Sequence, residues 1–166
     1  TAFAPDGTVT VGNACPLNDG AAAVVVTSAA HAKTLGHGHA MAYLGGAAAG
    51  VDPNLLGTGP VASTQKLLAR HTELSLSSLT HLEFNDAFAG QVLACLDQLK
   101  LPADLPNRHG GAIALGHPFG ASGAILVTRL FSQLIRTPAA PDALGMAMIG
   151  IGGGQGLTAA FAPHLL

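Results

Sequence analysis

The sequence predicts a layered α/β fold: a mixed, mostly parallel five-stranded sheet with helices on both faces, in the order β-α-β-α-β-α-β-β. Three observations carry that expectation. Short apolar runs alternate with segments of helical period, the boundaries are marked by Gly, Pro or Asn-Asp, and only the last two apolar runs are joined by a glycine turn too short to hold a helix.

The run AAAVVVTS (21–28) is β-branched and opened by Asn18-Asp19-Gly20, which predicts a buried strand. A short helix over 29–35 follows, closed by Gly36. HAMAYLGGAAA (39–49) predicts a second strand with glycines suited to a bulge. Gly59-Pro60 opens a helix to about His71, with Pro60 fitted to the first turn. LTHLEF (79–84) predicts a third strand. In 87–99 the spacing of Phe88, Val92, Cys95 and Leu99 predicts a helix with one apolar face. Asn85 and Asp86 therefore fall at a strand-to-helix junction, where Asn85 also suits a helix N-cap. A helix over 122–135 and strands over 144–149 and 157–161 complete the order. The proline-bearing segments 101–108 and 137–144 are connectors, and the 166 residues read as one domain.

Composition narrows the function. Charged residues make up 10% of the chain, against about 25% in an ordinary soluble domain, which predicts that much of the exterior is covered by another domain or subunit. A net charge of −2 without a basic stripe argues against nucleic-acid binding. No apolar run reaches the roughly 20 residues of a bilayer span, and the start TAFAPDGTV lacks the pattern of a secretory signal. Two cysteines, Cys15 and Cys95, make a poor disulfide framework, so a cytoplasmic setting is expected.

The chemistry concentrates in GGAIALGHPFGASGA (110–124), where His117 stands among Gly110, Gly111, Gly116, Gly120 and Gly123. Glycine costs folding entropy, so such a cluster implies close backbone approach to a ligand. Three loops are candidates for chemistry: Asn85 to Phe88, Gly116-His117-Pro118, and Gly150 to Gly156. Converging at one sheet edge, they would surround a cavity with an imidazole, an amide and backbone N–H groups, the equipment for stabilising an oxyanion. The 150–156 run fails the dinucleotide spacing at Gln155. His37-Gly38-His39 has no nearby carboxylate or thiol and reads as a solvated turn, so no metal is expected. Cys95 reads as core filling.

Five ordered motifs carry a family resemblance: GNACPLNDGAAAVVV from Gly12, VDPNLLGTGPVAST from Val51, EFNDAFAGQ from Glu83, the loop around His117, and IGGGQG from Ile151. Together they resemble the carboxyl-terminal half of the thiolases, acyltransferases that make or cleave 3-ketoacyl-CoA. The resemblance implies that His117 activates a nucleophilic cysteine and lines an oxyanion hole for the thioester carbonyl. It implies that Asn85 holds a water in that hole and that Gly152 gives an N–H to a second one. Phe88, Pro118 and Ser122 would line the pantetheine path. Coenzyme A enters as substrate, with no resident cofactor, and the partners implied are an amino-terminal thiolase domain carrying the nucleophile, in the same chain or another, and further copies in a homo- or hetero-oligomer.

Two departures qualify that expectation. The nucleophilic cysteine belongs to the amino-terminal half and has no counterpart here, neither Cys15 nor Cys95 matching its motif. The second catalytic cysteine of the family is Gly150 in this chain. Because Claisen condensation needs a base and thiolysis an acid, glycine at that position removes a proton carrier. The isolated chain is therefore expected to be inactive. An acyltransferase half, a non-catalytic scaffold or regulatory subunit, and a decarboxylative or hydrolytic acyl-CoA enzyme stay open. Asp86 stands where the family more often has Glu.

Overall fold

A computed structural model describes residues 3–36, 38–137 and 139–166. His37 of the His37-Gly38-His39 turn and Pro138 of the second connector lie outside the described residues.

The α/β layering is present, with a sheet of four strands rather than five: β1 (His39–Gly50), β2 (Leu79–Phe84), β3 (Leu144–Ile151) and β4 (Gln155–Leu165), ordered β1-β4-β3-β2. Among the strands of the described residues, β2–β3 is the parallel pair, while β3–β4 and β1–β4 are antiparallel, which corrects the mostly parallel expectation. The cause is the short Gly152–Gly154 turn, which forces β4 back along β3. The expected bulge in β1 falls between Tyr43 and Gly45.

The missing strand is 21–28, which joins neither a helix nor a sheet. Val25 and Val26 are 86% and 90% exposed, so the buried strand is corrected to an exposed apolar segment. Composition favoured a strand there. Burial needs a neighbour, and the described residues supply none.

Helices α1 (Ala29–Thr34), α2 (Gly59–Arg70), α3 (Ala89–Leu99), α4 (Ala112–Leu115) and α5 (Ser122–Phe131) follow, the last continuing into a π-helical turn over Ser132–Arg136. The Ser28 hydroxyl caps α1 by accepting the His31 N–H, and Gly36 at φ 73° follows its end. Asn85 does not cap α3, whose N-cap is Phe88; the Ala87 N–H instead turns back onto the Asn85 carbonyl. That tight turn keeps the Asn85 side chain free of the helix.

Alternate residues of β3 face opposite layers, as the pleat requires. Met146 and Met148 pack with Val61 and Leu67 of α2 and with Val92, Cys95 and Leu96 of α3. Ala147 and Ile149 pack with Leu126 and Leu130 of α5. On the first face a Cβ on Gly156 would strike the Gly59 backbone, and the Ser63 and Thr64 hydroxyls meet Thr158 Oγ1 at 2.8 and 2.9 Å. On the second, fully buried Glu83 accepts from Arg129 Nε at 2.7 Å and from Gln133 Nε2 at 2.5 Å, tying α5 to β2.

Candidate active site

Because β2 and β3 run parallel, the chain after Phe84 and the turn after Ile151 leave the sheet at the same edge. Asn85 extends the ladder by one rung, its N–H donating to the Met148 carbonyl at 2.9 Å. On the other side of β2, Asn107 Nδ2 donates to the Phe84 carbonyl at 2.7 Å and its Oδ1 accepts the Phe84 N–H at 2.8 Å. The backbone is therefore held on both sides before Asn85, whose side chain is almost wholly buried.

Asp86 links this loop to the next one. Its carboxylate accepts the Ala112 N–H and, at 3.4 Å, the Ile113 N–H, closing the first turn of α4. Gly111 is needed beneath it, since a Cβ there would collide with Asp86 and Asn107. After α4 the chain turns at Gly116, φ 101°, where a Cβ would also collide with the Asn18 side chain. His117 follows, its N–H donating to the Pro16 carbonyl at 3.1 Å.

The imidazole reaches Asn85 on one side and Ser122 on the other. Nε2 lies 3.5 Å from Asn85 Nδ2, Nδ1 lies 2.6 Å from Ser122 Oγ, and the Phe119 ring stands edge-on at 4.7 Å. Burial holds the His117 pKa below the ordinary imidazole value, and the negative charge of Asp86 opposes that shift. Burial also raises Asp86, against the N–H groups that bond it and the charge of Arg129. A cavity of about 30 Å³, on the scale of one water, is lined by Asn85, Gly116, Ser122, Glu83 and Arg129.

The other expected residues occupy distinct places. Phe88 is half-buried under an edge-on contact with Phe3. Pro118 is buried against Gly20, whereas the neighbouring Phe119 is 69% exposed. Ser122 is 4% exposed, beneath the imidazole. Gly152 is exposed in the turn between β3 and β4, and a Cβ on it would meet nothing. Gly150 lies two residues beyond Met148 on β3, and a Cβ on it would meet Gln91 Nε2 at 2.9 Å. Gln91 now donates to the Gly57 carbonyl at 3.3 Å.

Neither cysteine is poised as a nucleophile. Burial and the Asp86 charge raise the Cys15 pKa, and burial pushes Cys95 up to about 11 while its Sγ–H points at the Gly57 carbonyl. Among the described residues no three His, Cys, Asp or Glu side chains gather as a metal site, and no helix is long and apolar enough to cross a membrane. Sequence reasoning missed the anchoring roles of Asp86 and Asn107 and the exposure of Phe119. Asn107 sits between Pro106 and Arg108 in a connector that also carries Asp104, and nothing local in the sequence marks its role.

Comparison with known proteins gives a consistent picture. Residues 37–162 match the family model described as thiolase, C-terminal domain, and residues 1–30 match thiolase, N-terminal domain. An acetyl-CoA acetyltransferase of Pseudomonas aeruginosa is 48% identical over 156 residues, covering 94% of this chain and 39% of that protein. A 3-ketoacyl-CoA thiolase of Stutzerimonas stutzeri is 44% identical over 164 residues, covering 96% of this chain and 41% of that protein. The crystal structure of the Bacillus anthracis acetyl-CoA acetyltransferase superposes with a TM-score of 0.90 at 37% identity, over 98% of this chain and 40% of that one. The chain thus spans about two-fifths of the length of the curated relatives it matches.

Proposed function

The chain belongs to the thiolase family, and from that premise we propose that it forms the carboxyl-terminal part of an acyltransferase that makes or cleaves 3-ketoacyl-CoA. An amino-terminal thiolase domain supplies the nucleophilic cysteine. The observation that carries the reading is the meeting of Asn85 and His117 across 3.5 Å.

In this reading His117 Nε2 accepts the proton of the incoming thiol, and the thiolate sulfur attacks the thioester carbonyl. That attack by the amino-terminal domain's cysteine forms the new acyl–sulfur bond and a tetrahedral oxyanion; when the oxyanion collapses, the bond to coenzyme A sulfur breaks and the leaving thiolate takes the proton from the imidazolium. Before that collapse the protonated ring donates toward the oxyanion, beside a water held by Asn85. The Gly152 N–H serves the second oxyanion. The exposed ring of Phe119 and the half-buried ring of Phe88 offer apolar surface for pantetheine. Two free thiols are compatible with the cytoplasm.

Partnership with an amino-terminal domain is supported by the apolar 21–28 segment, whose valines face solvent just where the match to the amino-terminal model ends. Such a chain is inactive until joined, and assembles further into oligomers. The reconstituted protein tests the reading through acyl transfer from acetyl-CoA: turnover that needs both parts supports it, and turnover by this chain alone overturns it.

A second reading rests on Gly150. Without the second thiol, the assembled protein retains acyl binding but lacks the proton carrier for thiolysis, leaving a scaffold or a decarboxylative or hydrolytic acyl-CoA enzyme. Release of carbon dioxide from malonyl-CoA separates the decarboxylative branch from the scaffold.

A further inference from the structure

Ser122 is the first residue of α5, five positions after His117, and its side chain is closed off from solvent. Its Oγ has two neighbours: His117 Nδ1 at 2.6 Å and the Pro118 carbonyl at 3.0 Å. A carbonyl only accepts, so the single hydroxyl proton has a partner at Pro118 and the oxygen lone pair is left for the imidazole. At the far side of the ring, Nε2 faces Asn85 Nδ2, a group that only donates. The Oγ contact puts the ring proton on Nδ1, and Asn85 Nδ2, beyond ordinary hydrogen-bond length, offers no acceptor that would hold a proton on Nε2.

We propose that Ser122 is a positioning residue that holds His117 with its proton on Nδ1, so that the Nε2 lone pair is presented at the Asn85 side of the site. The inference rests on the acyltransferase reading for its purpose, and on the two Oγ distances for its chemistry. A base that must take a thiol proton at Nε2 requires that nitrogen to be bare beforehand. After the transfer both ring nitrogens carry protons, and Ser122 Oγ still accepts from Nδ1 because its own proton stays on the Pro118 carbonyl. The same contact serves the neutral ring and the cation, so no side chain reorganises during proton transfer.

The Pro118 carbonyl also accepts the N–H groups of Ala121 and Ser122, each at 2.9 Å, so it is fixed by the first turn of α5. The helix start, the hydroxyl and the imidazole form one rigid relay. This gives Ser122 a place beneath the ring.

Nitrogen-15 NMR of the labelled chain, at a pH where His117 is neutral, reads the tautomer without any turnover. The expected result is a protonated Nδ1 and a bare Nε2 in the wild type. Ser122→Ala should move the ring toward the Nε2-protonated form, and Ser122→Thr should restore the original pattern. A wild-type ring protonated on Nε2 overturns the proposal, and so does a folded Ser122→Ala chain with an unchanged tautomer. The wild-type spectrum decides even if the alanine variant does not fold. In the assembled enzyme Ser122→Ala should lower kcat about 10- to 100-fold and change KM by less than about twofold. A wild-type assembly that fails to turn over counts against the acyltransferase reading alone, because the tautomer is measured separately.

Discussion

Asn85 Nδ2 and His117 Nε2 lie 3.5 Å apart, although 32 residues separate them in the chain. Ordinary N–H hydrogen bonds span about 2.7–3.2 Å, so each group keeps capacity for a third atom placed between or above them. Both are fixed from behind: Asn85 through the Met148 carbonyl, and His117 through Ser122 and the Pro16 carbonyl. Two rigid polar groups aimed at one point, with little reorganisation left to occur, are what oxyanion stabilisation requires.

The ionisation of His117 gives a first prediction. Burial lowers its pKa, so the neutral base is populated below the ordinary value of about 6.5, and the acid limb of its titration should lie on the acidic side of that value. Asp86 favours the imidazolium, so Asp86→Asn should move the limb further down. Proton NMR of the His117 ring checks both. A limb above the ordinary value, or an upward move in Asp86→Asn, contradicts the electrostatics. The same shift bears on stability. With the folded pKa below the unfolded one, the unfolded chain binds more protons as pH falls past the ordinary imidazole value, and the contribution of neutral His117 is lost toward the folded pKa.

The ion pair between buried Glu83 and partly exposed Arg129 gives a second prediction. Arg129 also donates from Nη2 to the Gly110 carbonyl at 2.6 Å, so it joins β2 to the start of the histidine loop. Arg129→Met leaves the Glu83 carboxylate buried with only Gln133 as partner and should cost about 3–5 kcal/mol. Urea unfolding measures it. A loss below about 1 kcal/mol would mean that the pair behaves as a surface contact.

The elements that were legible in the sequence were those set by local chemistry. Gly59-Pro60 marks the start of α2, and the glycines of β1 mark its bulge at Tyr43/Gly45. The 21–28 segment was misread because burial is not a local property. α4 was missed for a related reason: its four residues are capped by Asp86, 26 positions earlier. In the site, the glycine cluster announced His117, but not which neighbour faces outward. Pro118 is turned in because its carbonyl receives the first turn of α5, and that leaves Phe119 exposed.

The exposed valines give a third prediction. Val26→Asp should leave the stability of this chain within about 0.5 kcal/mol, since the side chain already faces solvent. It should weaken association with an amino-terminal thiolase domain at least tenfold, or about 1.4 kcal/mol. Calorimetric titration reads the affinity. Unchanged binding would remove this segment from the interface.

Gly150 gives a fourth prediction. Its backbone accepts a side chain without strain in φ, and the contact that a Cβ would make is with the movable end of Gln91. Gly150→Cys should therefore fold, and the acyltransferase reading expects the assembled variant to gain acetoacetyl-CoA cleavage. The scaffold reading expects no gain. Loss of absorbance of the acetoacetyl-CoA enolate distinguishes them.

In the proposed function His117 is the base of an acyl-transfer site completed by an amino-terminal domain. The most direct measurement is the rate of acyl transfer from acetyl-CoA by the assembled protein, wild type against His117→Ala, with folding verified by circular dichroism. His117→Ala should lower that rate about 10²- to 10⁴-fold, the usual contribution of a positioned general base. A His117→Ala assembly that transfers acyl groups at the wild-type rate would contradict it.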